Sequence, residues 1–202
     1  YDASGAQAYP LLLRAAGHHM GRHFRRVTDA TQAQDALAAF PPGEVLAIEF
    51  IDTRRDGVYR KYRAMAIDGA VYPLHLAVSR DWKVHYFSSE MESHAEYRAQ
   101  ERRFLEDMRG AIGANAVAAL AAIASELALE YAGIDFALDD AGNVVVFEAN
   151  AAMAVIAPDA DDERFAYRRE PAQRVIDAML AMVLSRSTPS AAHRSNGKHE
   201  RH

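Results

Sequence analysis

Short apolar runs separated by polar punctuation occupy most of the chain, and their spacing switches between two residues and about 3.6. "YPLLLR" (Tyr9–Arg14) reads as a short buried strand, and "FRRV" returns as a second after a loop carrying Gly17 and Gly21. In "TDATQAQDALAAF", Ala33, Ala36, Leu37 and Phe40 have helical spacing behind a Thr28 or Asp29 cap, and "PPGE" stops the helix. "EVLAIEFID" (Glu44–Asp52) predicts a third strand. Two more strand-like runs flank Asp68-Gly69, a strong hairpin signal. "DWKVHYFSS" reads as a further short strand or an irregular segment. From Ser93 to about Arg109 the pattern predicts a charged amphipathic helix, and "NAVAALAAIASELALEYAG" an alanine-rich one stopped at Gly133. "GIDFALDDAGNVVVFEAN" predicts a second hairpin turning at Asp140–Asn143, and "PAQRVIDAMLAMVLSR" a last helix with Pro171 in its first turn. The acidic stretch "PDADDERF" reads as a solvated loop. Strands, helices and hairpins mixed in this order predict an α+β fold built on antiparallel sheets.

Composition narrows the function classes. With 202 residues, the chain suits one sizeable domain or two small lobes. A net charge of -5 argues against nucleic acid or an anionic membrane as partner. Cysteine is absent, which excludes disulfides, thiolate metal sites and a cysteine nucleophile. No run of about 18 apolar residues occurs. The start, "YDASGAQAYP", lacks a signal-peptide pattern, so the expected compartment is the cytoplasm. The polar tail, residues 187–202, is expected to be disordered.

Three clusters carry candidate chemistry. Asp135 and Glu148 lie thirteen residues apart across a turn, so antiparallel strands bring them side by side, with Asn150 on the same face. Two carboxylates and an amide oxygen suit Mg2+ or Mn2+; the same spacing also suits a solvated sheet face. Between Arg14 and Arg26 lie four arginines, three histidines and no acid, beside Gly17 and Gly21. Such a loop can hold phosphates or simply be exposed and basic. The third cluster, "RRDGVYRKYR", puts Lys61 and Arg63 on one strand face. It reads either as a basic strand facing the acid patch, with metal and phosphates between them, or as a charged edge strand. His75, His85 and Trp82 are read as packing residues ahead of substrate contacts.

Taken together and in order, these motifs resemble the ATP-grasp family, the fold of D-alanine–D-alanine ligase, glutathione synthetase and the RimK-like peptide ligases. "YPLLLR" with "AAGHHMGRHF" is similar to the family's basic strand and glycine-rich phosphate lid, with Arg14 where a nucleotide-binding lysine is usual. "VLAIEFID" resembles the adenine hinge, with Glu49, Phe50 and Ile51 beside the base and Asp56 where an acid holds the ribose. "RKYR" is similar to the strand reaching the phosphates, and "GIDF…VVVFEAN" to the metal-binding strand pair, with Asp135, Glu148 and Asn150 as ligands. "KYRAMAIDGAVYPLHLAVSRDWKVHY" resembles a bacterial branch often joined to tetratricopeptide repeats.

The resemblance implies two α+β lobes gripping a nucleotide: a small lobe over 1–52 and a large lobe over 53–186. It implies ATP and Mg2+ (or Mn2+) as cofactors, and a ligase joining a carboxylate to an amine or thiol through an acylphosphate. Arg14, Lys61 and Arg63 would act as catalytic cations. Arg14, Gly17, Gly21, Glu49, Phe50, Ile51, Asp56 and Lys61 would hold the nucleotide. The partners would be a carboxylate small molecule or peptide and the family's usual N-terminal βα domain, which would precede Tyr1. Some positions depart from the pattern: His18, His19 and Met20 sit in the lid, "AAMAV" follows Asn150, and Gly133 stands where some ligases carry an oxyanion-stabilising arginine. Two alternatives therefore stay open, a regulatory nucleotide-binding module without ligation and an unrelated divalent-metal hydrolase.

Overall fold

The structure is a computed structural model, in which residues 9–18, 21–85, 89–158 and 161–187 are described. It is α+β with antiparallel sheets, as the hydrophobic pattern predicts. The chain divides into two compact units, Tyr1–Asp52 and Thr53–His202.

The first unit carries a three-stranded sheet in the order β2-β1-β3, built from β1 (Leu11–Ala15), β2 (Phe24–Val27) and β3 (Val45–Glu49). Period-two alternation buries Leu11, Leu13 and Ala15 and leaves Arg14 exposed. The buried row packs on Val27 and on Ala33 of helix α1 (Ala30–Ala38). Asp29 is the cap of α1: its carboxylate accepts the Gln32 N–H at 2.9 Å, which satisfies one of the helix's orphan donors.

The second unit is a four-stranded antiparallel sheet, order β5-β4-β6-β7, from β4 (Tyr59–Ile67), β5 (Ala70–Ser79), β6 (Tyr131–Leu138) and β7 (Val144–Asn150). Asp68 and Gly69 close the first hairpin with φ of 50° and 81°, the double positive φ of a tight hairpin turn. One sheet face packs on helices α2 (Ala95–Glu106), α3 (Met108–Ile112) and α4 (Ala114–Leu127) through Phe104, Leu120, Ile134 and Phe136, all fully buried. Burying each such side chain contributes roughly 1.5–3 kcal/mol. Tyr62 stacks on Phe136 with ring centroids 5.2 Å apart. Opposite, Met65, Ile67 and Leu74 pack on Met153 and on Val175 of helix α5 (Arg169–Ser187). Both faces of the central strands are therefore apolar where the helices cover them.

Several boundaries differ from expectation. Helix α4 ends at Leu127, capped by Ala128 in the left-handed region (φ 50°), and Gly133 lies inside β6 rather than at a helix end. Asp68 N–H already bonds the Glu130 carbonyl at 2.9 Å, so strand pairing claims this segment. The charged helix breaks at Asp107, whose carboxylate caps α3 through the Gly110 N–H. "PDADDERF" is not a simple solvated loop: Asp162 caps a 3-10 helix over Glu163–Arg168, and Phe165 is buried. At Asp81–His85 the irregular alternative is the one found, with bends over Asp81–Lys83 and no strand. The lid residues His19 and Met20, Tyr86–Ser88 and the tail from 188 lie outside the described residues. Among the described residues no helix is long and apolar enough to cross a membrane.

Candidate functional site

Pairing register places four polar side chains in one row across the second unit's sheet: His75 opposite Arg63, Arg63 opposite Asp135, and Asp135 opposite Glu148. The hairpin spacing thus does bring Asp135 and Glu148 side by side. Register slips flank the row at Arg63/Ala64 and at Asp135/Phe136. Bulges of this kind re-aim side chains and recur beside functional sites.

Asp135 is 1 % exposed, yet it is ionised. Burial pushes its carboxyl up, and Arg63 and Lys61 together outweigh that and hold it below the usual carboxylate value. Arg63 grips it with two parallel bonds, Nε to Oδ1 at 2.5 Å and Nη2 to Oδ2 at 2.8 Å. Lys61 Nζ stands 2.7 Å from Oδ2. The basic strand therefore does not face the acid patch across a gap for phosphates. It lies next to it, because β4 and β6 are neighbours in one sheet.

Asn150 falls two residues along the ladder, opposite Gly133. Its Nδ2 donates to Glu148 Oε1 at 2.8 Å, and its Oδ1 accepts the Ala152 N–H at 2.6 Å. Glycine at 133 has a steric cause: a Cβ there would stand 2.4 Å from Met153 Sδ and 2.6 Å from Met153 Cβ. No arginine fits that position.

For a divalent cation the donors divide. Glu148 is exposed and supplies a hard carboxylate that suits Mg2+ with phosphate and water completing the shell, while Asn150 beside it turns its Nδ2 toward that carboxylate and its Oδ1 to the Ala152 N–H. Asp135 does not fit as a ligand in this arrangement, since both its oxygens are engaged by cations. Among the described residues no three His, Asp or Glu side chains converge on a common point.

The His75 and Arg63 end of the row lines a cavity of about 370 Å³. Lys61, Arg63 and His75 contribute from the sheet, while Ile156 and Pro158 follow β7 and Arg168 comes from the 3-10 helix. His75 is buried, and burial followed by the nearby Arg63 and Arg168 lowers its pKa well below the usual histidine value. It is a neutral imidazole at pH 7.

Arg168 and its support were not foreseen from sequence. Glu101 of α2 has no exposed surface. It accepts the Leu76 N–H at 3.2 Å and the Tyr167 hydroxyl at 2.5 Å, and its Oε1 lies 3.4 Å from Arg168 Nε. Burial raises the Glu101 carboxyl's pKa, against the pull of Arg168. The signal was present: Tyr97, Glu101, Phe104 and Leu105 occupy one helical stripe, an acid among core positions.

The remaining sequence-selected residues are distributed as follows. Arg14 is exposed on β1 and donates to the His18 carbonyl at 3.3 Å. Gly17 and Gly21 both take positive φ in the turns after β1. Glu49 ends β3, Ile51 is exposed, and the Arg26 guanidinium lies over the Phe50 ring at 4.1 Å from its centroid. All of these belong to the first unit. Asp56, in the second, sits in the turn before β4 with its carboxylate 3.8 Å from Arg60.

No protein-family model matches the sequence, and no curated protein matches it. Among solved structures, the chain is similar to an L-amino acid ligase from Bacillus licheniformis: 19% identity, 73% of this chain, 32% of that chain, TM-score 0.40. It is also similar to a biotin carboxylase from Campylobacter jejuni (16%, 90%, 38%, 0.45) and a D-alanine-D-alanine ligase from Coxiella burnetii (14%, 88%, 45%, 0.46). The chain spans less than half of each of those chains. At these values the likeness assigns neither family nor activity.

Proposed function

We propose that this chain is the nucleotide- and metal-handling part of an ATP- and Mg2+-dependent ligase that joins a carboxylate to an amine or thiol. The observation that carries this reading is the row Arg63–Asp135–Glu148 with Lys61 beside it, whose two cations line a cavity. Phosphoryl transfer needs positioned cations more than covalent chemistry from the protein. Lys61 and Arg63 supply two, kept on the sheet by a buried counter-ion. Glu148, with Asn150 beside it, would hold Mg2+, which when bound would neutralise phosphate charge.

The reaction balances without a protein nucleophile. A substrate carboxylate oxygen attacks the γ-phosphorus and the bond to ADP breaks, giving an acylphosphate and ADP. An amine (or thiol) then attacks the acyl carbon, phosphate leaves, and the nucleophile's proton is lost. Arg63 has a planar fork suited to phosphate oxygens, and Lys61 acts as a point charge. Arg14, Gly17, Gly21, Glu49, Phe50, Ile51 and Asp56 are assigned to the nucleotide by the sequence resemblance alone.

A second reading, nucleotide binding without ligation, is favoured by the closed Asp135 clamp, which withholds one of the family's usual metal ligands. A metal hydrolase built on the acid pair has less support, because Asp135 is spent on Arg63 and Lys61.

The test begins with thermal unfolding in Mg2+ and a nonhydrolysable ATP analogue. Binding at a hundredfold excess over Kd stabilises by about 2.7 kcal/mol. Absence of any shift at millimolar analogue defeats both nucleotide readings. Phosphate release from ATP is then screened with amino-acid and peptide mixtures. Stimulated release that is lost in Glu148→Ala supports the ligase; binding with no stimulated release supports the regulatory module; release that survives Glu148→Ala removes the hairpin from the mechanism.

A further inference from the structure

The cavity beside the polar row has two unlike walls. On one side stand three cations, Lys61, Arg63 and Arg168, with the buried His75 among them. On the other, Leu74, Met91, Ile156, Pro158 and Phe165 present apolar surface. The acids near the cations are accounted for: Asp135 holds Arg63 and Lys61, and Glu101 holds Arg168. At the rim, Asp162 and Glu92 both pair with Arg164. Glu148 also acts on Arg63 from the neighbouring strand, so Lys61 and Arg63 sit among the sheet's own acids, and Arg168 is the cation that the 3-10 helix brings to this wall.

We infer that this cavity binds the carboxylate end of a small acid with a branched or aromatic apolar side chain, that Arg168 anchors the carboxylate, and that Glu101 is the residue that positions Arg168. The volume, about 370 Å³, is in the range of sites for molecules of amino-acid size. A guanidinium matches a carboxylate in two-point geometry, and Arg168 is nearly immobilised: its side chain is 11 % exposed and ion-paired to a fully buried acid. Such a group loses little freedom on binding a ligand. The apolar wall takes the side chain. Ile156 stands out, since it is 56 % exposed and lines the cavity, and an apolar ligand would cover it. His75 is neutral at pH 7 and adds a hydrogen-bonding group without further charge.

This inference rests in part on the ligase reading, because it names the acid that would be phosphorylated. The binding step, however, needs neither nucleotide nor metal, and the experiment uses that independence. Calorimetric titration of the full chain, without ATP or Mg2+, compares 4-methylpentanoate, its uncharged amide and acetate. The expected result is that 4-methylpentanoate binds and that the amide and acetate each bind at least about tenfold more weakly. Ile156→Glu, at an exposed position that leaves the core intact, should weaken the acid by about tenfold or more through repulsion. Arg168→Gln should do the same. It also orphans Glu101, so the neutral pair Glu101→Gln/Arg168→Met serves as a second variant whose melting curve verifies the fold. Glu101→Gln alone, with Arg168 present but less firmly held, should give an intermediate loss, and Glu101→Asp should recover part of it.

Equal binding of acid and amide overturns the carboxylate assignment. Unchanged affinity in both Ile156→Glu and Arg168→Gln overturns the cavity as the site, and failure of all three compounds to bind overturns the whole inference. If the acid binds but Mg2+ with the ATP analogue does not, the cavity stands and the ligase reading falls. The converse result leaves the nucleotide reading and removes this one.

Discussion

Replacing Asp135 by asparagine distinguishes two roles for this carboxylate by the sign of the effect on stability. In a bare metal site, two carboxylates repel, and removing one charge stabilises the metal-free protein. In the arrangement found, Asp135 is the counter-ion of Lys61 and Arg63, so removing its charge leaves two cations beside a buried histidine. Losing one partner of a fully buried ion pair costs about 3–5 kcal/mol. Here the cations can turn partly toward water, since the Lys61 and Arg63 side chains are 21 % and 22 % exposed. We therefore expect about 2–3 kcal/mol of destabilisation for Asp135→Asn at pH 7 without metal, somewhat below the fully buried figure. For a chain of this length that lowers the melting midpoint by roughly 5–10 °C.

The assay is metal-free urea and thermal unfolding of the full chain with EDTA present, in parallel with Glu148→Gln. Glu148 is exposed, and its substitution should change stability by less than about 0.5 kcal/mol. In Asp135→Asn/Arg63→Gln, one stranded charge is gone, so the double variant should lose less than the two single losses added together. An unchanged or raised midpoint for Asp135→Asn would refute the counter-ion assignment, as would strict additivity with Arg63→Gln.

Other consequences are independent of that one. Gly133→Ala should destabilise by about 1–3 kcal/mol in thermal melts, because the new Cβ meets the Met153 Cβ near the backbone and not only a flexible tip. Met153→Ala in the same background should recover part of the loss. Ala128→Gly should stabilise by up to about 1 kcal/mol in urea unfolding, since Ala128 holds φ of 50° at the end of α4. For His75, the folded pKa is depressed by burial and by Arg63 and Arg168. The unfolded chain then binds the extra proton first, and stability falls as pH drops below about 6.5, with a slope of up to about 1.4 kcal/mol per pH unit from this group. Unfolding between pH 5 and 7 should show a flatter dependence in His75→Gln; an identical profile would mean that His75 is not the group titrating.

Period-two patterning with a marked turn was enough to place the metal-type hairpin, because a strand that alternates Ile134, Phe136 against Asp135 leaves one choice of face. Once the turn at Asp139–Asn143 is fixed, the opposition of Asp135 and Glu148 follows. Spacing could not reveal which strand sits next to the hairpin. That depends on β6 pairing with β4 rather than β5, a contact between residues about 70 apart in the chain. With β4 adjacent, Arg63 falls in register with Asp135, and the expected gap between basic and acidic surfaces becomes a direct ion pair. Glu101 and Arg168 escaped for a related reason. Arg168 looks like an ordinary surface charge in its own segment, Glu101 differs only in lying on the buried stripe of α2, and the packing of α2 against β5 and the 3-10 helix removes Glu101 from water. A carboxylate with no exposed surface needs a cation and hydrogen bonds on its own side of the sheet, and the residues supplying them lie 66 and 67 positions away. Burial of an acid on an apolar helix stripe is therefore the feature that ties the cavity's cationic wall to the core, so that substitutions at Glu101 should alter carboxylate binding and melting temperature together, whereas those at Ile156 should alter binding alone.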